Sequence, residues 1–290
     1  MQRRTEMSAH TAAAKLEREF AFNDQHFELL RGCVREHTGI ALSDGKRELV
    51  YGRLSRRLRN LGMDNFDAYC SLITAGDREE VAHFVNAITT NLTAFFRESH
   101  HFDHLAALLP RLIEKNQSTR RLRIWSAGCS TGEEAYSIAI TVRETIGDRP
   151  SWDVKILATD IDSNVLAAAA NGVYHPRRAD GLSRERLSRW FLHGKGKNTG
   201  ILRVVPDLQK LITFRQLNLM QPWPLRGPFD VLFCRNVVIY FGKETQRRLF
   251  NRFADVLAPG GHLFIGHSES LFKVSERFKL LGKTTYQRIM

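Results

Sequence analysis

The sequence predicts an α/β protein with a mostly parallel β-sheet covered on both faces, preceded by a small all-helical domain. Three observations carry this reading. Residues 24 to about 98 follow a helical pattern cut by short glycine-containing breaks. Beyond Gln117, short apolar strand-like runs alternate with helical segments, which is the rhythm of right-handed βαβ crossovers. A chain of 290 residues, 43% of them hydrophobic, can also bury a sizeable core in one large or two ordinary domains.

The first 20 or so residues read as a frayed or weakly helical lead-in, polar and without the apolar stretch of a secretory signal. In the helical region the breaks fall at Thr38-Gly39, Ser43-Asp44-Gly45, Leu61-Gly62 and Ala75-Gly76-Asp77. A helix from His100 to about Lys115, kinked at Pro110, links this region to the sheet. Residues 122–127 form the first strand and residues 133–146 its helix. Residues 154–160 form the second strand, followed by an alanine-rich helix over 163–171. Residues 212–214 and 229–234 are the third and fourth strands, and a helix spans 243 to about 257. Pro259-Gly260-Gly261 then turns the chain into a strand over 262–266, and residues 286–289 close the sheet. Residues 174–210 interrupt the rhythm with a helical piece over 183–191 and a glycine-rich stretch, read as an inserted antiparallel hairpin. The resulting domains are 1–98, helical; 99–117, a linker helix; and 118–290, the sheet domain with its insertion at about 174–214.

No run approaches the roughly 20 apolar residues that span a bilayer, and Cys33, Cys70, Cys129 and Cys234 lie in no metal or disulfide spacing. A reduced, cytoplasmic protein is expected. The formal charge of +12 suits an acidic partner of any kind. Within the helical region the charge is focused on residues 46–59, where Lys46, Arg47, Arg53, Arg56, Arg57 and Arg59 face a single acid, Glu48, while the rest of residues 1–95 brings that region close to neutral. Val50, Leu54 and Leu58 fall on one arc of this helix, leaving the bases on the remaining surface for docking.

Ser126-Ala127-Gly128-Cys129-Ser130-Thr131-Gly132-Glu133-Glu134 lies where the first strand turns into a helix. Glycine there lets backbone approach a ligand, and the two glutamates favour a ligand with a positive end over a phosphate. An ordinary turn, with acids favouring the helix dipole, fits the segment equally well. Asp160 ends the second strand, where an acid can accept both hydroxyls of a ribose, and Asp162 is assigned to capping the next helix. Asn218-Leu219 and Arg235-Asn236 follow the next two strands, at the sheet edge where ligands sit in open α/β folds. Asn218 reads either as a ligand to an adenine edge or as a turn residue. Tyr240 can pack on a cation or serve as a core aromatic. Residues 86–98, with Asn91, Thr93 and Arg97 beside Phe95-Phe96, read either as a segment folded over a pocket mouth or as a linker with an apolar anchor.

Asn91-Leu92-Thr93-Ala94-Phe95-Phe96-Arg97, Cys129-Ser130-Thr131-Gly132-Glu133-Glu134, Ala158-Thr159-Asp160-Ile161-Asp162 and Phe233-Cys234-Arg235-Asn236-Val237-Val238-Ile239-Tyr240-Phe241, with Gly266-His267-Ser268-Glu269, resemble the chemotaxis receptor methyltransferases, the CheR family. The resemblance runs in order from about Phe22 to the end of the chain. It implies a Rossmann-like class I methyltransferase domain with a small inserted β-subdomain. It also implies S-adenosylmethionine as methyl donor, S-adenosylhomocysteine as product, no metal, and as acceptors particular glutamates on the cytoplasmic helices of transmembrane chemoreceptors. Carried onto matching positions, it makes Asn91, Thr93, Arg97, Glu134, Asp160, Asn218, Leu219, Arg235 and Asn236 cofactor-site residues, joined by Gly128 from the turn above. Arg97 and Tyr240 fall nearest the transferred methyl, and Lys46, Arg53, Arg56 and Arg59 match the receptor-contacting helix. The β-subdomain of some members grips an aromatic-containing peptide at a receptor's C-terminus. Ala135 stands where many members have proline, and both residues suit a first helical turn.

A glutamate with an ordinary pKa of about 4.3 is already a nucleophile at neutral pH, so no catalytic base is required and none is evident. The expected protein is a monomer that inserts into no membrane and binds no nucleic acid. Two rivals stand beside this reading. A nucleic-acid methyltransferase suits the net charge, although no Pro-Pro-aromatic clamp follows the fourth strand. A non-catalytic adaptor that binds the cofactor suits the docking helix, but Arg97 and Tyr240 argue against lost chemistry.

Overall fold

The computed structural model describes residues 18–289, so the lead-in lies almost wholly outside the described residues. The helical part consists of α1 (Asp24–Thr38), a 3-10 turn at Asp44–Lys46, α2 (Arg47–Leu61), α3 (Phe66–Thr74) and α4 (Arg78–Ile88). The breaks read from the sequence are the helix ends. Asn23, Asn65 and Asp77 cap α1, α3 and α4 with their side chains, while Gly39 and Gly62 end α1 and α2 in the left-handed conformation. Phe27, Leu30, Val50, Leu54, Leu58, Phe66, Tyr69 and Phe84 interlock as the core of this bundle.

One departure matters for the site. The helical pattern expected to about Glu98 stops at Ile88, and Thr89 is already extended. Thr89, Thr90, Asn91 and Thr93 resist helix through branching at Cβ or competing side-chain hydrogen bonds. Residues 89–99 instead form a strap, with Phe96 and Glu98 in the left-handed region.

The chain continues through α5 (His100–Lys115), with Pro110 inside it, to β1 (Arg121–Ala127), α6 (Glu133–Ile146), β2 (Asp153–Asp160), α7 (Ser163–Asn171) and β3 (Val173–Tyr174). Then come α8 (Arg184–Trp190), β4 (Phe191–His193), β5 (Leu202–Val204), α9 (Pro206–Gln209), β6 (Ile212–Gln216) and β7 (Phe229–Cys234). The last elements are α10 (Lys243–Val256), β8 (Leu257–Ile265), β9 (Phe278–Gly282) and β10 (Thr285–Arg288). Seven strands form the main sheet in the order β6-β2-β1-β7-β8-β10-β9. The first five of these run parallel and β10 is antiparallel to both neighbours. Apolar clusters cover both faces, with Tyr136, Ile138 and Phe233 on one side and Trp125, Leu232, Phe250 and Phe253 on the other.

The insertion is a three-stranded antiparallel sheet, β3-β5-β4, rather than a hairpin. It ends before β6, because Phe214 pairs with Ala158 in the main sheet. Pro259-Gly260-Gly261 lies inside β8 as an irregularity: Phe229 pairs with Leu257, but two residues on Val231 pairs with His262. Strand β9, on the sheet edge, went unpredicted; its Leu280 and Leu281 are exposed, so it shows no buried alternation.

Candidate active site

Chain order reverses between β1 and β7, which are neighbours in the sheet although β2 and β6 intervene in sequence. Such a switch point opens a crevice beyond the carboxyl ends of the strands. A cavity of about 420 Å³ lies there, within the usual range of about 300–1,000 Å³ for small-molecule sites. Asn91, Thr93, Arg97, Gly128, Glu134, Asp160, Asn218, Leu219, Arg235 and Asn236 all line it, together with Tyr240 and Lys46. The helical bundle contributes Thr38, Ile40, Leu42 and Leu49 to its wall.

Local geometry explains how each residue arrives. At Gly128, with φ of 87°, an added Cβ would lie 2.4 Å from a methyl of Val237, so only glycine lets these two loops meet. Asp160, buried at the end of β2, accepts from the backbone N–H of Ser130 at 2.8 Å and of Asp162 at 3.0 Å. Each carboxylate oxygen keeps a second lone pair for a ligand. Burial raises its pKa against the pull of these backbone bonds. Asp162 caps α7 as expected and its other oxygen holds the strap, accepting from Asn91 at 2.7 Å and Thr89 at 2.9 Å. The two glutamates of the turn diverge. Glu133 turns away to Arg178 of the insertion, whereas Glu134 faces the cavity, receiving Ser126 Oγ at 2.6 Å and Arg235 Nη1 at 3.2 Å. Burial raises the Glu134 carboxyl, and Arg235 and Ser126 oppose that rise.

Arg235 is itself buried, and its guanidinium joins Glu134 to the backbone carbonyl of Arg97. The loop from Arg235 to Tyr240 is pinned by Glu269, which sequence reading left without a role. Its carboxylate accepts the N–H groups of Asn236 at 3.0 Å, Val238 at 2.9 Å, Ile239 at 3.3 Å and Gly266 at 2.5 Å. The bundle is seated on this same loop by Ala41 N–H donating to Tyr240 O at 2.8 Å.

Two residues also carry structural contacts. Asn218 donates to His37 O at 2.6 Å and accepts Met220 N–H at 2.9 Å, so it tethers the bundle as a turn residue. Its second amide hydrogen and second carbonyl lone pair remain for a ligand. On α2, Arg53 donates through Nη1 to the carbonyls of Ala87, Ile88 and Thr89, so it caps α4 with one nitrogen of its fork. Arg59 pairs with Glu19 at 3.3 Å, while Lys46 and Arg56 are exposed and lack an ion-pair partner among the described residues.

Both parts of the chain that meet at this cavity match family models. "CheR methyltransferase, all-alpha domain" matches residues 25–89, and "CheR methyltransferase, SAM binding domain" matches residues 91–287. The chain belongs to the CheR methyltransferase family. It is 48% identical to chemotaxis protein methyltransferase 2 of Pseudomonas aeruginosa over 92% of this chain and 94% of that one. The chemotaxis protein methyltransferases of Salmonella typhimurium and Escherichia coli are 44% and 42% identical, each over 92% of this chain and 91% of theirs. As a CheR protein the chain is an S-adenosylmethionine-dependent methyltransferase with a class I fold. The donor set fits that cofactor: carboxylates of Asp160 and Glu134 suit hydroxyl and ammonium groups, and Leu217, Leu219 and Ile239 give an apolar side for a flat base. No helix among the described residues is long and apolar enough to cross a membrane.

Proposed function

We propose that this CheR protein methylates glutamate side chains on the cytoplasmic helices of chemoreceptors, forming glutamyl methyl esters in the cytoplasm. The observation that carries the reading is the convergence of the strap, the turn after β1, the end of β2 and the loop after β7 on one cavity. In this assignment Asp160 binds the ribose, Glu134 the amino group, and Asn91, Thr93, Gly128, Asn218, Leu219, Arg235 and Asn236 complete the cofactor shell. S-adenosylmethionine supplies, when bound, a methyl carbon made electrophilic by its sulfonium. The acceptor carboxylate is ionised at neutral pH, so the protein has only to align it and exclude water, with no metal needed.

Arg97 is assigned that alignment. One of its N–H groups is used on Leu92 O at 3.0 Å, which leaves the rest of the fork for an incoming carboxylate. Tyr240, half-buried at the rim, frames the sulfonium. Lysine cannot reproduce the fork, so Arg97→Lys is expected to lose turnover while keeping cofactor affinity. Docking falls to Lys46 at the cavity and Arg56 on α2, with Arg59 partly neutralised. The free edge of β4 supports strand addition by a receptor C-terminal peptide at the β-subdomain. We take the active form to be a monomer.

The test is transfer of labelled methyl from S-adenosylmethionine to membranes bearing chemoreceptors, followed by mild base. Base-labile label on receptor protein is the expected result. Label confined to added RNA, or cofactor binding without any transfer, would overturn the proposal.

A further inference from the structure

We propose that Glu98, held by His267, is a positioning residue for methyl transfer: it sets the strap so that Arg97 faces the acceptor. This rests on the assignment of Arg97 above. Glu98 does not line the cavity, so it acts through others. Its two neighbouring constraints are unusual. Phe96 and Glu98 flank Arg97 and both have positive φ, 52° and 56°. Non-glycine residues are disfavoured in that region, so tertiary contacts must hold the strap in place.

Those contacts converge on Arg97. Its carbonyl accepts from Arg235 Nη2, and the preceding N–H, of Phe96, donates to Ser137 Oγ at 2.9 Å. Arg235 lies between two carboxylates, Glu134 at 3.2 Å and Glu98 at 3.4 Å. The other Glu98 oxygen meets His267 Nδ1 at 3.0 Å. The Glu98 side chain is 11% exposed and that of His267 66% exposed, so the histidine closes the network from the solvent side. Without Glu98 the guanidinium keeps Glu134 but loses the counter-charge on the strap side, and Arg97 loses the anchor beside it. His100 and His101 also bring ring nitrogens near Glu98. A divalent cation there would confront the Arg235 guanidinium, for which Glu98 already serves as counter-ion.

The test uses the full chain with receptor substrate, reading kcat, KM for each substrate, cofactor affinity and melting temperature. Glu98→Gln keeps shape and removes charge. It is expected to lower kcat about tenfold or more, with KM for S-adenosylmethionine changed less than about twofold. His267→Ala is expected to lower kcat by a smaller factor of about three, and His267→Gln, which can still donate to Glu98, to restore most of it. Because His267 is exposed, its variants fold even if Glu98→Gln is unstable. In an Arg97→Lys background, Glu98→Gln is expected to add little, since coupled residues are non-additive. Unchanged kcat in Glu98→Gln, a loss expressed only in cofactor KM, or a full additive loss on top of Arg97→Lys would overturn the positioning role. Full turnover in Arg97→Lys alone would instead overturn the assignment of Arg97.

Discussion

Acid should destabilise this protein through buried histidines, and His262 allows the effect to be measured in isolation. His262 lies on β8 beneath α5, 7% exposed, with no hydrogen-bond partner for Nδ1. Burial, and then the nearby positive groups His104, Lys115 and Arg111, push its pKa down from 6.5 to about 4. The fold therefore favours the neutral ring, and the unfolded chain takes up the proton first. Stability from this term is intact above about pH 6.5, falls as pH drops towards 4, and changes no further below that. A shift of about 2.5 units at about 1.4 kcal/mol per unit corresponds to about 3 kcal/mol in full, and to about 2 kcal/mol by pH 5. His262→Phe keeps a ring of similar size and removes both the titration and the unpartnered nitrogen. Urea unfolding of parent and variant at neutral pH and near pH 5 gives the difference directly, because the other titrating groups cancel. The variant is expected to gain about 2 kcal/mol on the parent between those conditions. Parallel losses in the two proteins would refute the reasoning.

Other consequences follow from the site. Glu269→Ala strands four backbone N–H groups and should cost about 3 kcal/mol or more in urea unfolding, with weaker cofactor binding in titration calorimetry. Gly128→Ala should sharply reduce cofactor affinity because the new methyl meets Val237; adding Val237→Ala should restore part of it, the positive φ retaining a cost of roughly 1–2 kcal/mol. Arg56→Glu should slow receptor methylation most at low salt while leaving cofactor affinity unchanged. Arg53→Ala should instead lower the melting temperature, since its hydrogen bonds cap α4.

Much of this protein was written locally. Apolar periodicity and the glycine-containing breaks, among them the glycines that end α1 and α2, located those helices, because such signals act within one or two turns. The runs that became β1, β2 and β7 were each legible from an apolar stretch, which in β7 is buried throughout and in β1 and β2 lies towards the carboxyl end of the strand. Asp160 and Arg235 could be named as candidates because α/β sheets gather ligands at strand ends, whatever the sequence separation. Tertiary structure decided the partners. Arg53 meets carbonyls more than thirty positions away, Asn218 meets His37, and Glu98 meets Arg235 and His267, none of which a local pattern encodes. The strap shows the limit of local reading: the helical pattern was expected to run on to about Glu98, whereas contacts with Asp162, Ser137 and Arg235 hold an extended segment with left-handed turns around Arg97. A charged or polar side chain has several possible partners of comparable energy, and only the packed fold determines which one lies within reach.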